Sequence, residues 1–231
     1  MRRGPVLVAV VLLVAATVLV VLRVAPEPGG APELGATPTL PPGAPLPTDA
    51  QCAARVTRAS WEPRPENHEA NHTVPPGPVA SREWETPAAE ALHRRVTGDF
   101  TGTTDEIIQW TSCKWGFDTD LTRAQALQES DWRQSTRGDG GVSYGLLQIK
   151  STYWTGTYPY SARSTAYNLD WSLGLRRACF EGDLYDGRGR GDEWGCIGAH
   201  YSGFWRDAEA LQYVGLVQGY LERREWLAWP G

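Results

Sequence analysis

The chain has 231 residues, which is enough for one domain of about 100 to 200 residues with an appendage but not for two full enzymes. Its formal net charge of -5 argues against a nucleic-acid partner, because a phosphate backbone requires a basic protein face. The 11 tryptophans and 9 tyrosines are many for this length, and aromatic rings suit both core packing and stacking against sugar rings.

Residues 1–25 are predicted to be a membrane anchor or a signal peptide. Arg2 and Arg3 precede an apolar run over residues 6–22. This run is a little short for a bilayer span of about 20 residues but longer than most signal-peptide cores. No A-x-A cleavage site follows it, so the sequence favours an uncleaved anchor over a removed signal peptide. In both cases the positive-inside rule places the rest of the chain outside the cytoplasm, either membrane-anchored or secreted.

A proline-rich linker and four cysteines follow the membrane segment. Residues 26–50 are dense in Pro, Gly and Ala, which predicts a semi-rigid spacer. An even number of cysteines in an oxidising compartment predicts two disulfides. We favour Cys52 with Cys113, which would staple an extended arm to the core, and Cys179 with Cys196, which would close a loop of glycines and charges. The cysteine and histidine spacings do not match zinc sites, so no metal is expected.

The remaining chain is predicted to be mainly helical. Residues 51–103 carry frequent prolines and polar side chains, so we expect an extended arm with a first helix after Pro87. Residues 104–231 show helical periodicity and no convincing alternating strand pattern. The predicted fold class is therefore mainly α, with a short β-hairpin around residues 140–149.

Capping signals place the helices of this domain. Thr104 is a good N-cap for a helix that Gly116 ends, and Asp118 or Asp120 is expected to cap a second helix that runs to residue 130. Three further helices are predicted over residues 165–182, 192–205 and 207–227.

Glu129 stands at the C-terminal end of the second helix, just before a glycine-rich segment. The helix dipole disfavours a negative charge there, and a neighbour such as Trp132 would desolvate the carboxyl. Both effects raise the pKa of a carboxyl toward the range that suits acid catalysis near neutral pH. Gly138, Gly140, Gly141 and Gly145 would let the backbone approach a ligand closely, and Gln148 offers an amide to polar substrate groups.

Together these segments resemble the lytic transglycosylase and goose-type lysozyme superfamily. In that superfamily a helix ending in Glu-Ser precedes a loop, then G-L-M-Q-[ILV], then an Asn-containing helix and an A-Y-N-A-G motif. Glu129 and Ser130 match the first element, residues 145–149 match the second with Leu for Met, and Asn168 matches the third. Residues 198–203 keep an aromatic residue and a closing glycine of the fourth motif but lack its usual Asn.

The resemblance covers roughly residues 104–210 and implies a lysozyme-like helical domain that cleaves the β-1,4 bond between N-acetylmuramic acid and N-acetylglucosamine in peptidoglycan. Glu129 would protonate the glycosidic oxygen and then, as a base, deprotonate the muramyl C6 hydroxyl to leave a 1,6-anhydro end. No cofactor is needed. The expected setting is the cell wall, where a monomer would bind glycan strands.

Further residues are expected to contact the sugar chain. Ser130 would orient Glu129 or the substrate acetamido group, and aromatic side chains would line the cleft. The expected contacts are Ser130, Tyr144, Gly145, Gln148, Tyr153, Trp154, Tyr158, Asn168 and Tyr201, with His200 as the rival of Tyr201.

Asp139 leaves a second reaction open. Goose-type lysozymes resemble this chain in carrying a Gly-Asp loop ahead of the same motif, and an inverting hydrolase uses a second carboxylate, about 6.5 to 9.5 Å from the acid, to activate water. An Asp between glycines is also a good turn former. We therefore expect a transglycosylase first and a lysozyme-type hydrolase second. The departure at residues 198–203 leaves a third class open, a non-catalytic peptidoglycan-binding protein.

Overall fold

The computed structural model describes residues 38–230, so the predicted membrane segment, residues 1–25, lies outside the described range. The described part is mainly helical and contains a small antiparallel sheet, as the sequence predicts. Within residues 38–230, no helix combines the length and the apolarity needed to cross a bilayer.

The helices are α1 (Asp49–Ala53), α2 (His68–Asn71), α3 (Pro87–His93), α4 (Thr104–Trp115), α5 (Thr119–Ser130), α6 (Tyr160–Arg163), α7 (Thr165–Glu181), α8 (Glu193–Ser202) and α9 (Ala208–Arg223). The strands are β1 (Arg137–Gly138), β2 (Ser143–Tyr144) and β3 (Ile149–Lys150). They pair antiparallel in chain order, so the predicted hairpin has a third short strand.

The 17-residue helix α7 is the centre of the fold. The Ser164 hydroxyl accepts the Tyr167 N–H at its start, and Gly182 ends it in the left-handed conformation. Nearly all residues of α7 are buried, and the helix packs against α3, α4, α6 and α8. A helix that is buried on every side belongs to the core, and the remaining helices are arranged around it.

The cap of α4 lies one residue earlier than predicted. The Thr103 hydroxyl accepts the Glu106 N–H, and the Glu106 carboxylate accepts the Thr103 N–H, which is a capping box. Thr104 is instead buried, and its hydroxyl accepts the side-chain amides of Asn67 and Asn71. Thr103 is the cap because it lies three residues before Glu106, the spacing that the two reciprocal hydrogen bonds require. Thr104 does not have this spacing.

The predicted boundary between α4 and α5 is correct. Gly116 ends α4 with φ 66, a left-handed conformation that glycine adopts without strain. Of the two candidates for the next cap, Asp118 accepts the Leu121 N–H, whereas Asp120 accepts a hydrogen bond from Arg123. The loop between α4 and α5 is therefore very short, and it sets the direction of the helix that carries Glu129.

Residues 51–103 differ from the expected extended arm. Thr48 and Gln51 form a second capping box, which starts α1. Trp61 and Trp84 are buried in the same hydrophobic core as the C-terminal helices. The arm is thus part of the helical domain, because burying two large indole rings stabilises its contact with the core.

The end of the predicted linker also packs on this domain. The carbonyl oxygens of Leu40 and Pro41 each accept a hydrogen bond of 2.9 Å from the buried Arg177 guanidinium of α7. The Leu40 N–H donates to the Gly116 carbonyl at 2.9 Å. The spacer prediction therefore does not hold for residues 38–50, because these contacts fix their backbone.

Both disulfides have the preferred pairing. Cys52 and Cys113 join α1 to α4 with their Cα atoms 5.6 Å apart, and Cys179 and Cys196 join α7 to α8 with a Cα separation of 5.8 Å. Disulfides persist in oxidising compartments, so the two bonds fit an extracytoplasmic or secreted protein.

A buried ionic network ties α4 to α1 and α7. The Lys114 side chain is 0% exposed, and its Nζ lies 2.8 Å from Asp170 of α7 and 2.9 Å from Asp49 of α1. Asp170 also accepts the Trp115 indole N–H at 2.7 Å and the Gly98 N–H at 2.9 Å. Hydrogen bonds of this kind are what allow a carboxylate to be buried.

Candidate active site

The Glu129 carboxyl lies between α5 and the last two helices. Asp131 adopts a left-handed conformation directly after α5, so the chain turns away two residues beyond Glu129. The Glu129 side chain is only 10% exposed. Tyr213 of α9 donates its hydroxyl hydrogen to Glu129 Oε1, and His200 Nε2 of α8 lies 3.6 Å from the same oxygen. The carboxyl is therefore enclosed by side chains far from it in sequence.

Burial raises the pKa of Glu129 from an ordinary 4.5 to about 7. The hydrogen bond from Tyr213 lowers this pKa, and the negative charge of Asp139 raises it. A carboxyl of this pKa is present in both protonation states near neutral pH. It can thus donate a proton in one step and accept one in the next, which an acid-base catalyst requires.

The group that desolvates Glu129 differs from the one predicted. Trp132 is fully buried, but its ring packs against Trp61 and Trp226, and its N–H donates to the Arg123 carbonyl. Tyr213 and His200 cover the carboxyl instead. Because Trp132 has left-handed backbone geometry after the helix, its ring follows a different direction from the Glu129 side chain.

Neither neighbour of Glu129 supplies a counter-ion. Burial and the charge of Arg176 lower the pKa of His200 to about 4, so its ring is neutral near neutral pH. The 3.6 Å separation of the His200 and Glu129 atoms is also too long for a hydrogen bond. Burial and the neighbouring Glu129 charge raise the pKa of Tyr213 well above its ordinary value, so its hydroxyl stays protonated. Within residues 38–230, Glu129 is consequently left without a positive partner.

Buried polar side chains of α5 and α7 lie near Tyr213. Arg176 of α7 donates to the Gln125 side-chain oxygen at 2.8 Å and to the Thr122 hydroxyl at 3.2 Å. The Gln125 side chain in turn acts to lower the pKa of Tyr213. Tyr213 is not among the site residues predicted from the sequence, because a tyrosine in an amphipathic helix has the same pattern as any core residue. Only the pairing of α5 with α9 brings it to the site.

Tyr201 extends the site to the surface. Its ring stacks on Tyr213 with ring centroids 4.6 Å apart and planes within 6°. Tyr201 is 56% exposed, and Phe204, just beyond α8, is 69% exposed. Exposed aromatic faces next to a buried carboxyl suit stacking against a sugar ring. Tyr201 therefore keeps its predicted role as a substrate-contact candidate, while its rival His200 lies beside the carboxyl.

Three motif residues hold the loop after α5 instead of facing outward. Ser130 is buried, and its hydroxyl lies 3.0 Å from the Leu146 carbonyl oxygen that it can donate to. Asn168 is 0% exposed, accepts the Leu147 N–H at 2.9 Å and donates to the Tyr144 carbonyl at 2.7 Å. A Cβ at Gly145 would lie 2.4 Å from the Asn168 amide nitrogen. We assign Ser130, Gly145 and Asn168 to loop positioning, since their predicted contact atoms are used within the protein.

The side-chain oxygen of Gln148 accepts no hydrogen bond from the part of the chain that is described. Its amide nitrogen lies 2.7 Å from the Gly145 carbonyl and 3.4 Å from the Thr136 carbonyl, so both hydrogens point into the protein. Its oxygen faces Gly138, where a Cβ would lie 2.5 Å away. The glycines at 138 and 145 thus admit protein side chains, not the ligand that was expected. Gln148 can still accept a hydrogen bond from a substrate N–H or O–H.

The aromatic residues predicted to line the cleft fall into two groups. Tyr144 and Tyr158 are neighbours with ring centroids 5.4 Å apart. Trp154 packs on Trp171 of α7 with a centroid distance of 4.9 Å, and Tyr153 contacts it edge-on from an exposed position. Trp154 is therefore partly a core residue, whereas Tyr153 and Tyr158 present open faces. None of these rings hydrogen-bonds the buried carboxyl.

Asp139 links the strands of the small sheet. Its carboxylate accepts the Ser143 hydroxyl at 2.8 Å and lies 3.2 Å from Lys150 Nζ, and these two residues pair across β2 and β3. The contacts with Ser143 and Lys150 lower the pKa of Asp139, so it stays ionised. Its side chain is 53% exposed. The turn-forming role considered for Asp139 thus has a structural basis. Its negative charge nevertheless raises the pKa of Glu129.

A partly open cavity of about 320 Å³ lies elsewhere, between residues 38–57 and residues 109–119, and contains no part of this site. We place the candidate site by the chemistry of Glu129 instead. In the part of the chain that is described, no three His, Cys, Asp or Glu side chains are grouped to hold a metal ion. Comparisons of this chain with protein families, with curated proteins and with solved structures give no match.

Proposed function

We propose that the chain is a peptidoglycan lytic transglycosylase, with Glu129 as its general acid and base. The observation that carries this proposal is the state of Glu129, a nearly buried carboxyl with a pKa of about 7 and no positive partner among the described residues. Exposed Tyr201 stands beside it to receive a sugar ring. The sequence resemblance supplies the substrate class, the glycan strand of the cell wall.

In the proposed reaction Glu129 transfers its proton to the glycosidic oxygen as the bond to the muramyl C1 breaks. The departing N-acetylglucosamine gains a hydroxyl, and the muramyl ring develops oxocarbenium character. The Glu129 carboxylate then takes the proton of the C6 hydroxyl, whose oxygen bonds to C1. This step forms the 1,6-anhydro end and restores the protonated carboxyl, so one acidic residue suffices and no water is consumed.

The neighbours of Glu129 suit both halves of this cycle. A neutral His200 keeps the carboxyl protonated for the first step, because a cation there would lower its pKa. The Tyr213 hydroxyl donates to the carboxylate that exists between the steps. Together they keep the two forms of Glu129 close in free energy.

A lysozyme-type hydrolase using Asp139 is the second candidate. Its support is that Asp139 is ionised, partly exposed and electrostatically coupled to Glu129. Against it, Ser143 and Lys150 lower the pKa of Asp139, and a carboxylate of low pKa is a weak base for activating water. We therefore rank the transglycosylase first. A non-catalytic binding protein would gain nothing from a carboxyl of raised pKa.

Digestion of purified peptidoglycan with the full-length chain separates these functions. The released fragments are identified by mass spectrometry, in which an anhydro end is lighter by one water than a reducing end. Anhydro ends support the proposal, and reducing ends support the hydrolase. Binding of peptidoglycan without release of fragments would establish the non-catalytic protein and overturn both enzymatic assignments.

Replacing Asp139 with Asn tests its role independently. Under transglycosylation we expect a loss of fragment release of about threefold or less, because only the charge coupling and a sheet contact change. Under hydrolysis the loss should reach about 100-fold, since a general base is removed. Asp186→Asn is the matched control, because Asp186 has a similar left-handed backbone and is 90% exposed. A 100-fold loss in Asp139→Asn alone would contradict the transglycosylase.

Replacing Tyr213 with Phe should move the pH dependence of the reaction. Glu129 must be protonated to start the reaction, so kcat/KM is expected to fall as pH rises through its pKa of about 7. Loss of the Tyr213 hydrogen bond raises that pKa further, so the fall should occur at higher pH, with about tenfold slower turnover. Tyr220→Phe on the same helix is the control. If kcat/KM of Tyr213→Phe falls at the same pH as that of the wild type, the role of Tyr213 is contradicted.

A further inference from the structure

A serine, a histidine and a glutamate stand in line on the side of the domain formed by α3. Ser81 Oγ lies 2.8 Å from His93 Nε2, and His93 Nδ1 lies 3.0 Å from Glu90 Oε2. Glu90 and His93 are three residues apart on α3, so they share a face of the helix. Ser81 comes from the loop before α3. We call these three residues the Ser81 cluster.

The hydrogen-bond partners of His93 define its tautomer. Burial acts to raise the pKa of Glu90, but hydrogen bonds from the Trp84 N–H and from His93 outweigh it, and the pKa is lowered. The ionised carboxylate can only accept, so Nδ1 carries the ring hydrogen. The lone pair of Nε2 then faces the Ser81 hydroxyl. The Trp84 ring stacks on the imidazole at 4.6 Å and within 16°, which holds its plane.

A close contact between two loops lies beside Ser81, and a hollow opens next to it. A Cβ at Gly156 would lie 2.7 Å from the Ser81 Cα, so the two loops pass this closely only because residue 156 is glycine. Next to this contact is an open hollow of about 340 Å³, lined by residues 76–80, Gly156, Tyr158, Pro159 and Tyr160. Its lining has no charged side chain. The hollow therefore suits a small neutral group rather than an ionised one.

We propose that Ser81, His93 and Glu90 form a second catalytic centre, which hydrolyses esters of small neutral acyl groups. The arrangement of nucleophile, base and orienting carboxylate is the one that nucleophilic hydrolysis requires. None of the three side chains hydrogen-bonds a residue of the Glu129 site, so the two activities are separable.

The reaction follows from the positions of the protons. Ser81 Oγ bonds to the acyl carbon while its hydrogen moves to His93 Nε2, and the imidazolium then protonates the departing alcohol oxygen as the ester bond breaks. Water attacks the acyl-serine with His93 as base, which releases the carboxylic acid and restores Ser81. Glu90 stabilises the imidazolium in both steps without being protonated.

Backbone N–H groups are available for the oxyanion of this reaction. The Arg82 N–H donates to the Thr155 carbonyl at 2.7 Å, which pins the serine loop against the loop of Gly156. Among the described residues, the Ser81 and Gly156 N–H groups have no protein acceptor. They are the donors that we assign to the developing negative charge.

Labelling with a fluorophosphonate tests the centre in the full-length chain. The Ser81 oxygen would displace fluoride from phosphorus, and mass spectrometry would locate the bond on this residue. We expect labelling of the wild type at Ser81 and about a 100-fold slower reaction in His93→Ala, because the base is lost. Hydrolysis of p-nitrophenyl acetate should fall in parallel. Absence of label at Ser81 in the folded wild-type protein would overturn the proposal.

Matched variants separate this activity from the first site. Ser60→Ala, at an exposed serine outside both sites, should keep the labelling and the esterase rate of the wild type. Glu129→Gln should also keep the labelling and the esterase rate of the wild type. Ser81→Ala should release glycan fragments at the wild-type rate. Glu90→Gln leaves the shape of the cluster but should slow labelling about tenfold or more. An equal rate in His93→Ala and wild type would show that Ser81 reacts without a base and contradict the centre.

Discussion

Glu129→Gln is expected to reduce the release of glycan fragments by about 1,000-fold or more, because the amide can neither donate the proton of the first step nor accept that of the second. Glutamine keeps the shape of the side chain, so Tyr213 and His200 keep their places. The rate is measured by mass spectrometry of fragments released from purified peptidoglycan. Glu222→Gln, at an exposed glutamate on α9, is the matched control and should keep full activity.

Glu129→Gln should also change the free energy of unfolding in a predictable way. This change distinguishes a variant that has lost its catalytic group from one that is misfolded. The pKa of Glu129 is higher in the folded protein than in the unfolded chain, so wild-type stability should fall as pH rises from about 4.5 through about 7. At about 1.4 kcal/mol per pKa unit, this loss amounts to about 3 kcal/mol. Glutamine does not ionise, so Glu129→Gln should equal the wild type below pH 4.5 and exceed it above pH 7.

Urea unfolding of both proteins at pH 4 and pH 8 measures this difference. Equal stabilities at both values would mean that the Glu129 carboxyl is not desolvated, and the physical basis of the proposed function would be lost. An inactive variant that is also less stable at both pH values would report misfolding. Substantial fragment release by a stable Glu129→Gln protein would remove Glu129 from the reaction.

Lys114→Met is expected to cause the largest loss of stability, about 3 to 5 kcal/mol in the free energy of unfolding. Lys114 and Asp170 are both 0% exposed, so removing the ammonium leaves a buried carboxylate without its cation. Asp170 keeps the Trp115 and Gly98 hydrogen bonds, which is why we expect destabilisation and not complete unfolding. Urea unfolding at pH 7 gives the value.

Two comparisons make this result specific to the buried charge. Arg133→Met removes exposed pairs with Glu66 and Asp131. The three side chains are 46%, 44% and 43% exposed, so the change should cost less than about 1 kcal/mol. Adding Asp170→Asn to Lys114→Met removes the orphaned charge, so the double variant should be more stable than the sum of the single changes predicts. Additive losses would show that the two groups stabilise the fold independently.

Local signals in the sequence determined most of the helical framework. Gly116 and Gly182 end helices through interactions with residues only a few positions away, so their roles are visible in the chain itself. The same reasoning allowed a choice between Asp118 and Asp120 only after the structure placed Arg123 on the latter. The packing of residues 51–103 is harder to predict from the sequence, because the burial of Trp61 and Trp84 depends on helices that come much later in the chain.

The sequence by itself determined that Glu129 ends a helix before a glycine-rich loop, that the domain is mainly helical, and that four cysteines suit two disulfides. Only the tertiary structure decided what surrounds the carboxyl. Tyr213 is 84 residues away in sequence, yet it donates to Glu129, while Ser130 and Asn168 turn inward to hold the loop. The reason is physical: a pKa depends on which atoms exclude water from a group, and here those atoms belong to helices that meet only in the folded chain.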